Sequence, residues 1–348
     1  MSEIRRDYYT DRLVIISPGR SRRPFDQASP EGKGEPSECP FCPGNESKTP
    51  PADLVFSQRG GSLVKLSDGE SEAVEDWCLR VFLNPYPALS KTPAQSFSEP
   101  PRYSEPGYGY HYVMVASPKH EEGFGRMELD QWMNILAGLQ DKTRQLFSLK
   151  GVAYVSVFIN HKREAGASVA HPHLQILTLP QLPPVIEAEA RAYQTSMEER
   201  SVCPMCNVVG LEHGGPRQVL VTDHFLAFCP WAPSNAYEFW IYPRKHQTSL
   251  LKVSQKEMKD LALVLRATLG GLYSALDDPP FNLVFHISSE KKTTKQIHWH
   301  AEVFPRLNIW AGMEKGVGVY INPVPPEEAA ALLGTRSRRE LADLIGVS

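Results

Sequence analysis

Polar and apolar residues alternate over residues 171–176 in the way that predicts a β-strand with two different faces. His171, His173 and Gln175 occupy one set of alternate positions, and proline or aliphatic residues occupy the positions between them. Because successive side chains of a strand point to opposite faces, the pattern predicts a polar face that carries two histidines and a glutamine. The apolar face behind it is expected to pack into a core.

The same order of elements occurs twice along the chain. An apolar run that ends in Lys-His precedes a helical pattern, a strand-like run and a His-x-His motif, and the spacing of the corresponding histidines agrees within one residue. This order predicts a duplicated α+β unit, strand–helix–strand–strand, in which each copy is an antiparallel sheet with packed helices. We expect two tandem domains, residues 1–190 and 191–348. The runs are 112–120, 128–139, 153–159 and 171–175 in the first copy, and 239–246, 255–265, 281–287 and 298–302 in the second.

Four of the six cysteines form two Cys-x-x-Cys pairs, one at the start of each repeat. Zinc takes four tetrahedral ligands, most often cysteine and histidine, so each repeat offers one complete set. We expect two structural zinc sites without an open coordination position. The alternative is that the cysteine pairs bind metal without these histidines, or bind none. The predicted ligands are Cys39, Cys42, His120 and His171 in the first site and Cys203, Cys206, His246 and His298 in the second.

If His171 binds zinc, His173 is the candidate nucleophile, because a metal-bound imidazole has lost the lone pair that attack requires. The small-residue loop Gly166-Ala167-Ser168 lies just upstream and allows a ligand to approach the backbone. A nucleophilic imidazole beside such a loop suggests phosphorus chemistry through a covalent histidine intermediate. Gln175 can donate its amide N–H to a phosphoryl oxygen.

The second repeat has His300 and Glu302 at the positions of His173 and Gln175. A carboxylate at the glutamine position would repel a phosphate group. We therefore expect the second repeat to be catalytically silent and to support the first repeat or a neighbouring subunit.

Charge and hydropathy restrict the partners of this chain. The formal net charge of −3 argues against a broad nucleic-acid-binding face. No apolar run approaches the ~18 residues of a membrane span. The N-terminal segment lacks the apolar centre of a secretory signal, so we expect a cytoplasmic protein. The predicted zinc ligands are also too far apart in sequence for a compact zinc finger, which argues against a zinc-stabilised nucleic-acid-binding protein.

These motifs together resemble the galactose-1-phosphate uridylyltransferase family, within the histidine-triad superfamily. The His-Pro-His-x-Gln core, with a Cys-x-x-Cys pair at this distance, is the most specific part of the resemblance. The resemblance covers nearly the whole chain, and further matching segments lie at 6–24, 81–89, 160–168 and 318–323.

The resemblance implies a ping-pong transfer of UMP between UDP-glucose and a hexose 1-phosphate such as galactose 1-phosphate. His173 would form a uridylyl-histidine, Gln175 would steady the nonbridging oxygens and Ser168 would help the leaving group. It also implies a homodimer with active sites near the interface, and metals that stay structural. The implied substrate-contacting residues are Arg20, Arg23, Asn84, Asn160, Gly166, Ala167, Ser168, Gln175, Tyr320 and Asn322.

Two enzyme alternatives stay open. Some family members bind iron in the second half through Glu and His, whereas the second Cys-x-x-Cys of this chain resembles a branch that includes enzymes using ADP-glucose with phosphate as acceptor. An ADP-glucose or dinucleotide phosphorylase is therefore the nearest alternative. A histidine-triad nucleotide hydrolase is the other, but those enzymes usually have a third histidine at the position of Gln175 to protonate the leaving group.

Two basic features have simpler explanations. Arg20 and Arg23 are spaced to clamp an anion but can also pair with surface acids. The basic loop 291–295 can be a solvated turn or can reach a phosphate across a subunit interface.

Overall fold

A computed structural model describes residues 2–6, 13–16, 37–69, 72–92, 96–289 and 296–347. Arg20, Arg23 and the basic loop 291–295 lie outside the described residues. The strands of the described part are β1 (Glu3–Arg6), β2 (Leu13–Ile16), β3 (Ala52–Arg59), β4 (Ser62–Leu66), β5 (Trp77–Leu83), β6 (Phe97–Glu99), β7 (Arg102–Pro106), β8 (His111–Val115), β9 (Tyr154–His161), β10 (His173–Leu179), β11 (Gln218–Val221), β12 (Phe225–Phe228), β13 (Phe239–Pro243), β14 (Phe281–His286) and β15 (His300–Pro305). The α-helices are α1 (Leu129–Ser148), α2 (Pro184–Arg200), α3 (Pro204–Glu212), α4 (Gln255–Leu276) and α5 (Pro326–Ile345).

The two repeats share one continuous antiparallel sheet of eleven described strands, in the order β11-β12-β13-β15-β14-β9-β10-β8-β5-β3-β4. The two halves of the sheet meet where β9 pairs with β14. Outward from this pair, the strands β9, β10, β8, β5 and β3 of the first half correspond in order to β14, β15, β13, β12 and β11 of the second half. A smaller sheet has the order β2-β1-β7-β6. The predicted α+β class with antiparallel sheets and packed helices is confirmed. The domain division after residue 190 stays a prediction, and it falls inside α2.

Helices α1 and α4 supply much of the main core. In α1, Trp132, Ile135 and Leu139 recur at helical spacing and are buried, which explains why the helix packs this face onto the sheet. Truncation of one such residue, Leu139→Ala, is expected to cost about 2–5 kcal/mol of unfolding free energy. The start of α4 is closed by a capping box in which Ser254 and Glu257 each bond the other's backbone N–H.

The helices extend further than the sequence patterns predict. The helical patterns 128–139 and 255–265 begin close to the true starts of α1 and α4, but these helices continue to Ser148 and Leu276. The segment between the two repeats forms α2, and its residues Ile186 and Ala190 are buried. No helix of the described part is both long enough and apolar enough to cross a membrane. The cytoplasmic location stays a prediction.

Candidate active site

The polar face of the sheet brings one residue from each of three neighbouring strands into a row. The register pairs Asn282 of β14 with Asn160 of β9, and Leu174 of β10 with Ile159 of β9. The next position along this ladder sets Asn160 beside His173. Because Leu174 and Ile159 belong to the buried core, the row lies on the opposite face.

The strand β10 begins at His173, so His171 stands just before it and not within it. His173 is 5% exposed, and its Nδ1 lies 2.8 Å from the carbonyl oxygen of His171. A carbonyl oxygen only accepts, so Nδ1 carries the proton of the neutral imidazole and Nε2 carries the lone pair. The ring of Phe41 meets the His173 ring edge-on at 5.3 Å. The site therefore holds His173 in the tautomer that leaves the lone pair on Nε2.

Gln175 is oriented by His111, a buried residue at the start of β8. His111 Nδ1 accepts the backbone N–H of Ala88 at 3.1 Å, so the ring proton is on Nε2. That N–H donates to Gln175 Oε1 at 2.9 Å. Because the carbonyl end of the amide faces His111, the two N–H groups of Gln175 face the other way. The neighbouring Asn84 receives the backbone N–H of Tyr86 on its Oδ1 at 2.9 Å.

The sequence pattern does not indicate His111, because the apolar run that predicts β8 begins one residue later. The sequence does contain one indication of its position. His111 lies an even number of positions from Val113 and Val115 in the strand, so the three side chains lie on the same face. Val115 pairs with His173 and Val113 pairs with Gln175 across the sheet.

The small-residue loop that follows β9 turns sharply beside this row. Lys162 and Gly166 both have positive φ, at 68° and 93°, and the backbone N–H of Ala167 returns to the carbonyl of Lys162. A side chain at Gly166 would be strained at this φ, so the turn favours glycine there. A Cβ on Gly166 would lie 3.6 Å from Nδ2 of Asn160, so this loop and the asparagine amide are neighbours.

The predicted substrate residues fall into two groups. Asn84, Asn160, the loop 166–168 and Gln175 belong to the first repeat and surround the start of β10. The described contacts of the two C-terminal candidates lie in the second half. Asn322 Nδ2 donates to the carbonyls of Pro233 and Asn235, and the half-exposed Tyr320 ring lies 5.1 Å from Trp310.

The first predicted metal set converges on one point. Cys42 Sγ lies 3.2 Å from His120 Nδ1 and 3.5 Å from His171 Nδ1, and Cys39 Sγ lies 3.8 Å from the same His171 nitrogen. Tetrahedral zinc, with bonds of about 2.0–2.3 Å, places its ligand atoms roughly 3.3–3.8 Å apart. His171 Nε2 donates to the Ser117 carbonyl at 2.7 Å, which directs the Nδ1 lone pair toward the thiols. These four residues fit a zinc ion.

Burial controls the protonation of this cluster in the absence of metal. It raises the pKa of Cys42 to about 11, with a further contribution from neighbouring Cys39, and it lowers the pKa of His171 to about 4. A neutral imidazole is ready to bind a metal, whereas the thiol must lose its proton when a metal binds.

The second predicted set also converges, with all four ligand atoms within 4.8 Å of one another. Cys206 Sγ lies 3.5 Å from His246 Nδ1 and 3.7 Å from His298 Nδ1. Cys203 is the N-cap of α3, and Cys206 lies in its first turn, so this pair begins a helix. Burial raises the pKa of Cys206 to about 12 and lowers the pKa of His298 to about 3.

A third cluster was not predicted and consists of Glu189, His286, His300 and Glu302, whose ligand atoms also lie within 4.8 Å of one another. His286 Nδ1 lies 2.8 Å from Glu189 Oε1, and its Nε2 lies 3.6 Å from Glu302 Oε2. Burial opposes the charged form of His286, but Glu302 and Glu189 raise its pKa. Burial likewise opposes the charged form of Glu302, but His286 and His300 lower its pKa. The four side chains form a buried ion-pair network.

The second-repeat counterpart of His173 is enclosed by aromatic rings. His300 is 2% exposed, and Tyr242 stacks on it with ring centroids 4.2 Å apart. Its Nε2 lies 3.3 Å from Glu302. Trp240 pairs with Glu302 where Val113 pairs with Gln175 in the first repeat, so large rings replace small side chains on this face.

Comparison with known proteins identifies the family to which this chain belongs. A family model described as "Domain of unknown function (DUF4921)" matches residues 109–345. The galactose-1-phosphate uridylyltransferase of Thermotoga maritima is 32% identical over 344 residues, which cover 96% of this chain and 98% of that protein. The chain belongs to the galactose-1-phosphate uridylyltransferase family. A solved "Structure of uridylyltransferase" shares this family fold at a TM-score of 0.79, with 27% identity and coverage of 97% and 99% of the two chains.

The chain also has relatives that are named for a different reaction. The ADP-glucose phosphorylase of Arabidopsis thaliana is 31% identical over 340 residues, which cover 95% of this chain and 92% of that protein. The crystal structure of an ADP-glucose phosphorylase from Arabidopsis thaliana with bound ADP-glucose matches at a TM-score of 0.72, with 28% identity and coverage of 96% and 98%. The comparisons therefore identify the enzyme family and not the specific reaction.

Proposed function

We propose that this protein transfers UMP between UDP-glucose and a hexose 1-phosphate, such as galactose 1-phosphate, through a uridylyl group on His173. The observation that carries the proposal is the 2.8 Å contact from His173 Nδ1 to the His171 carbonyl, which puts the lone pair on Nε2. The relative from Thermotoga maritima, which is named for this reaction, supports it.

The reaction proceeds in two balanced displacements. His173 Nε2 attacks the α-phosphorus, a P–N bond forms, and the bond from the α-phosphorus to the bridging oxygen breaks, so that hexose 1-phosphate leaves with the electron pair. A phosphate oxygen of the second hexose 1-phosphate then attacks the same phosphorus and the P–N bond breaks. The hydrogen bond from Nδ1 to the His171 carbonyl stabilises the imidazole while Nε2 carries the nucleotidyl group.

Hydrogen-bond donors around His173 are assigned to the phosphate oxygens. The amide N–H groups of Gln175 face away from His111 and would stabilise the nonbridging oxygens of the α-phosphate as charge builds up. Asn160 and Ser168 would contact the nucleotide and the leaving phosphate. Asn84 would contact the nucleoside, and Arg20 and Arg23 would clamp an anionic part of the substrate.

We also propose that both Cys–Cys–His–His clusters hold structural zinc. Zinc would supply a fixed tetrahedral cross-link and would leave no open position for substrate. His171 connects the first cluster to the nucleophile. Its Nδ1 would bind the metal, and its backbone carbonyl accepts a hydrogen bond from His173 Nδ1–H. The cluster would thus hold the start of β10 in place.

The homodimer implied by the family resemblance remains part of the proposal. The segment that contains Tyr320 and Asn322 exposes a series of apolar side chains, and Ile309 is 92% exposed. A second copy of the chain would cover them and bring Tyr320 toward a sugar. Sedimentation velocity of wild type and of Ile309→Glu tests this, because the charged variant should shift the protein toward monomer.

An ADP-glucose phosphorylase is the second candidate, favoured by the 31% identity to the relative from Arabidopsis thaliana. It would use the same nucleophile, but would transfer AMP from ADP-glucose to phosphate. The residues on the polar face would hold phosphate groups and would not by themselves select between uracil and adenine.

One labelling experiment tests the mechanism and the base together. Zinc-replete protein is mixed with UDP-glucose or with ADP-glucose, each radiolabelled at the α-phosphorus, and is denatured in base, where a phosphoramidate survives. We expect label from UDP-glucose on wild type and none on His173→Ala. Label from ADP-glucose alone would replace the uridylyl assignment with the adenylyl one. No label from either sugar would overturn the covalent mechanism.

A further inference from the structure

We propose that Asn282, on the strand β14 that joins the second repeat to the first at the centre of the sheet, is a positioning residue for the phosphate-binding side of the first repeat. It would act by orienting the amide of Asn160, while its contact with the Ala165 carbonyl fixes the direction of its own amide. This inference rests on the proposed function, because it concerns how the nucleotidyl-transfer site is held in shape.

The amide of Asn282 bridges two groups of the first repeat. Its Nδ2 lies 2.8 Å from Asn160 Oδ1 and 2.8 Å from the backbone carbonyl oxygen of Ala165. The Ala165 carbonyl can only accept, so the nitrogen end of the Asn282 amide must face it. With both N–H groups of Asn282 turned this way, Asn160 must present its oxygen to Asn282. The orientation of the Asn160 amide is thereby decided by a residue of the other repeat.

The hydrogen bond from Asn282 fixes the direction of the two N–H groups of Asn160. Because Oδ1 of Asn160 accepts from Asn282, its N–H groups point the other way, and Nδ2 lies 3.6 Å from where a Cβ on Gly166 would stand. Asn160 also lies beside His173, because the neighbouring residues Ile159 and Leu174 pair across the two strands. Its donors therefore face the side of the sheet where the phosphate-sized loop and the nucleophile meet.

A second contact from the same repeat fixes the base of the loop. Asp278 Oδ1 lies 2.8 Å from His161 Nε2, and its Oδ2 lies 2.8 Å from Lys162 Nζ. Burial opposes the charged form of Asp278, but the hydrogen bonds from His161 and Lys162 hold its pKa below its ordinary value. Lys162 has φ of 68° and ψ of 166°, a backbone conformation that residues other than glycine rarely adopt, and this clamp helps to maintain it.

These contacts explain how a catalytically silent second copy can still be required. The strands β9 and β14 meet at the centre of the sheet, and each supplies one asparagine to the same register position. Loss of the directing residue should leave the donors of Asn160 present but unaligned. Misalignment of a donor at a reacting phosphate typically lowers the rate of the chemical step by about 10- to 100-fold.

The variant Asn282→Asp tests the inference with a side chain of nearly the same shape. The carboxylate would meet two oxygens, so the Asn160 amide is expected to rotate and turn its N–H groups toward it. We expect the single-turnover rate of label formation from the nucleotide sugar to fall by about 10- to 100-fold at saturating sugar. The sugar concentration that gives half the maximal rate should change less. Asn282→Gln keeps an amide N–H donor and should recover part of the rate.

The double variant separates positioning from a purely structural role. If Asn282 acts through Asn160, then Asn282→Asp introduced into an Asn160→Ala background should lower the rate by less than about threefold. The matched control is Asn134→Asp in α1, where Nδ2 donates to Gln131 at 3.3 Å on another part of the fold. It should lower the melting temperature and leave the saturated labelling rate unchanged.

The outcomes distinguish the two proposals. Wild type that takes label while folded Asn282→Asp and Asn282→Gln react at the wild-type rate would overturn the inference alone. Equal fold-losses from Asn282→Asp in the wild-type and Asn160→Ala backgrounds would also overturn it, because the effect would then not pass through Asn160. Wild type that takes no label from either nucleotide sugar would overturn the proposed function and this inference with it.

Discussion

Gln175 Oε1 lies 2.9 Å from His111 Nε2, and this contact turns the amide N–H groups of Gln175 away from His111. The backbone N–H of Ala88 requires the lone pair of His111 to be on Nδ1, so that Nε2 carries the proton that is donated to Gln175. The donor role proposed for Gln175 thus depends on a histidine that does not itself touch the substrate in the proposed mechanism.

Replacement of His111 should therefore weaken catalysis through Gln175. In His111→Phe the glutamine amide is free to rotate, and we expect the saturated single-turnover labelling rate to fall by about 10- to 100-fold. Gln175→Glu should cost more, about 10²- to 10³-fold, because a carboxylate repels the phosphate. Rapid-quench kinetics with the labelled nucleotide sugar measure both rates. His111→Phe at the wild-type rate would show that Gln175 does not depend on this contact.

The two histidines of the His-Pro-His motif should separate metal binding from chemistry. His171→Ala removes a ligand, so we expect elemental analysis to find less zinc and denaturant unfolding to show a loss of several kcal/mol. His173→Ala should keep the zinc content and unfolding free energy near wild type while it loses all covalent label. Chelator treatment of wild type should lower the melting temperature, and added zinc should restore it. Full zinc content in His171→Ala would contradict the ligand assignment.

His300 should be dispensable for chemistry. Its ring is stacked on Tyr242 and its Nε2 lies 3.3 Å from Glu302, whose carboxylate would repel a phosphate group. We expect His300→Ala to form the covalent intermediate within about twofold of the wild-type rate. It should unfold with about 1–3 kcal/mol less free energy, because buried polar contacts are lost. A loss of labelling comparable to that of His173→Ala would assign chemistry to the second repeat.

The buried network around His286 should make stability depend on pH. The pKa of His286 lies above its ordinary value of 6.5 because Glu302 and Glu189 outweigh the opposing effect of burial. Its charge therefore stabilises the fold fully below pH 6.5, and this contribution is lost as pH rises through the folded-state pKa. Denaturant unfolding of wild type between pH 6 and 8 should show a steeper decline in free energy than unfolding of His286→Gln. Parallel curves for the two proteins would rule out this linkage.

Much of the fold was predictable because hydrophobic periodicity indicates each strand and helix from neighbouring residues alone. Alternation over 171–176 and the helical spacing of 128–139 indicate single elements, and the repetition of their order indicates a duplicated unit. The Cys-x-x-Cys pairs were also predictable as members of two four-residue sets, which the fold brings together. The placement of His171 was wrong in one respect, because it stands before β10 and turns its Nδ1 toward Cys39 and Cys42.

The sequence by itself determined the repeated strand–helix–strand–strand order, the two Cys–Cys–His–His sets and the candidacy of His173, because periodicity and motif spacing follow from the order of residues along one chain. Only the tertiary structure decided that β9 and β14 join the repeats into one sheet, that His111 orients Gln175 and that Asn282 orients Asn160. The partners in each of these contacts come from strands far apart in sequence. Their meeting depends on strand register and on the direction in which each amide or imidazole donates, and neither property is encoded in local spacing.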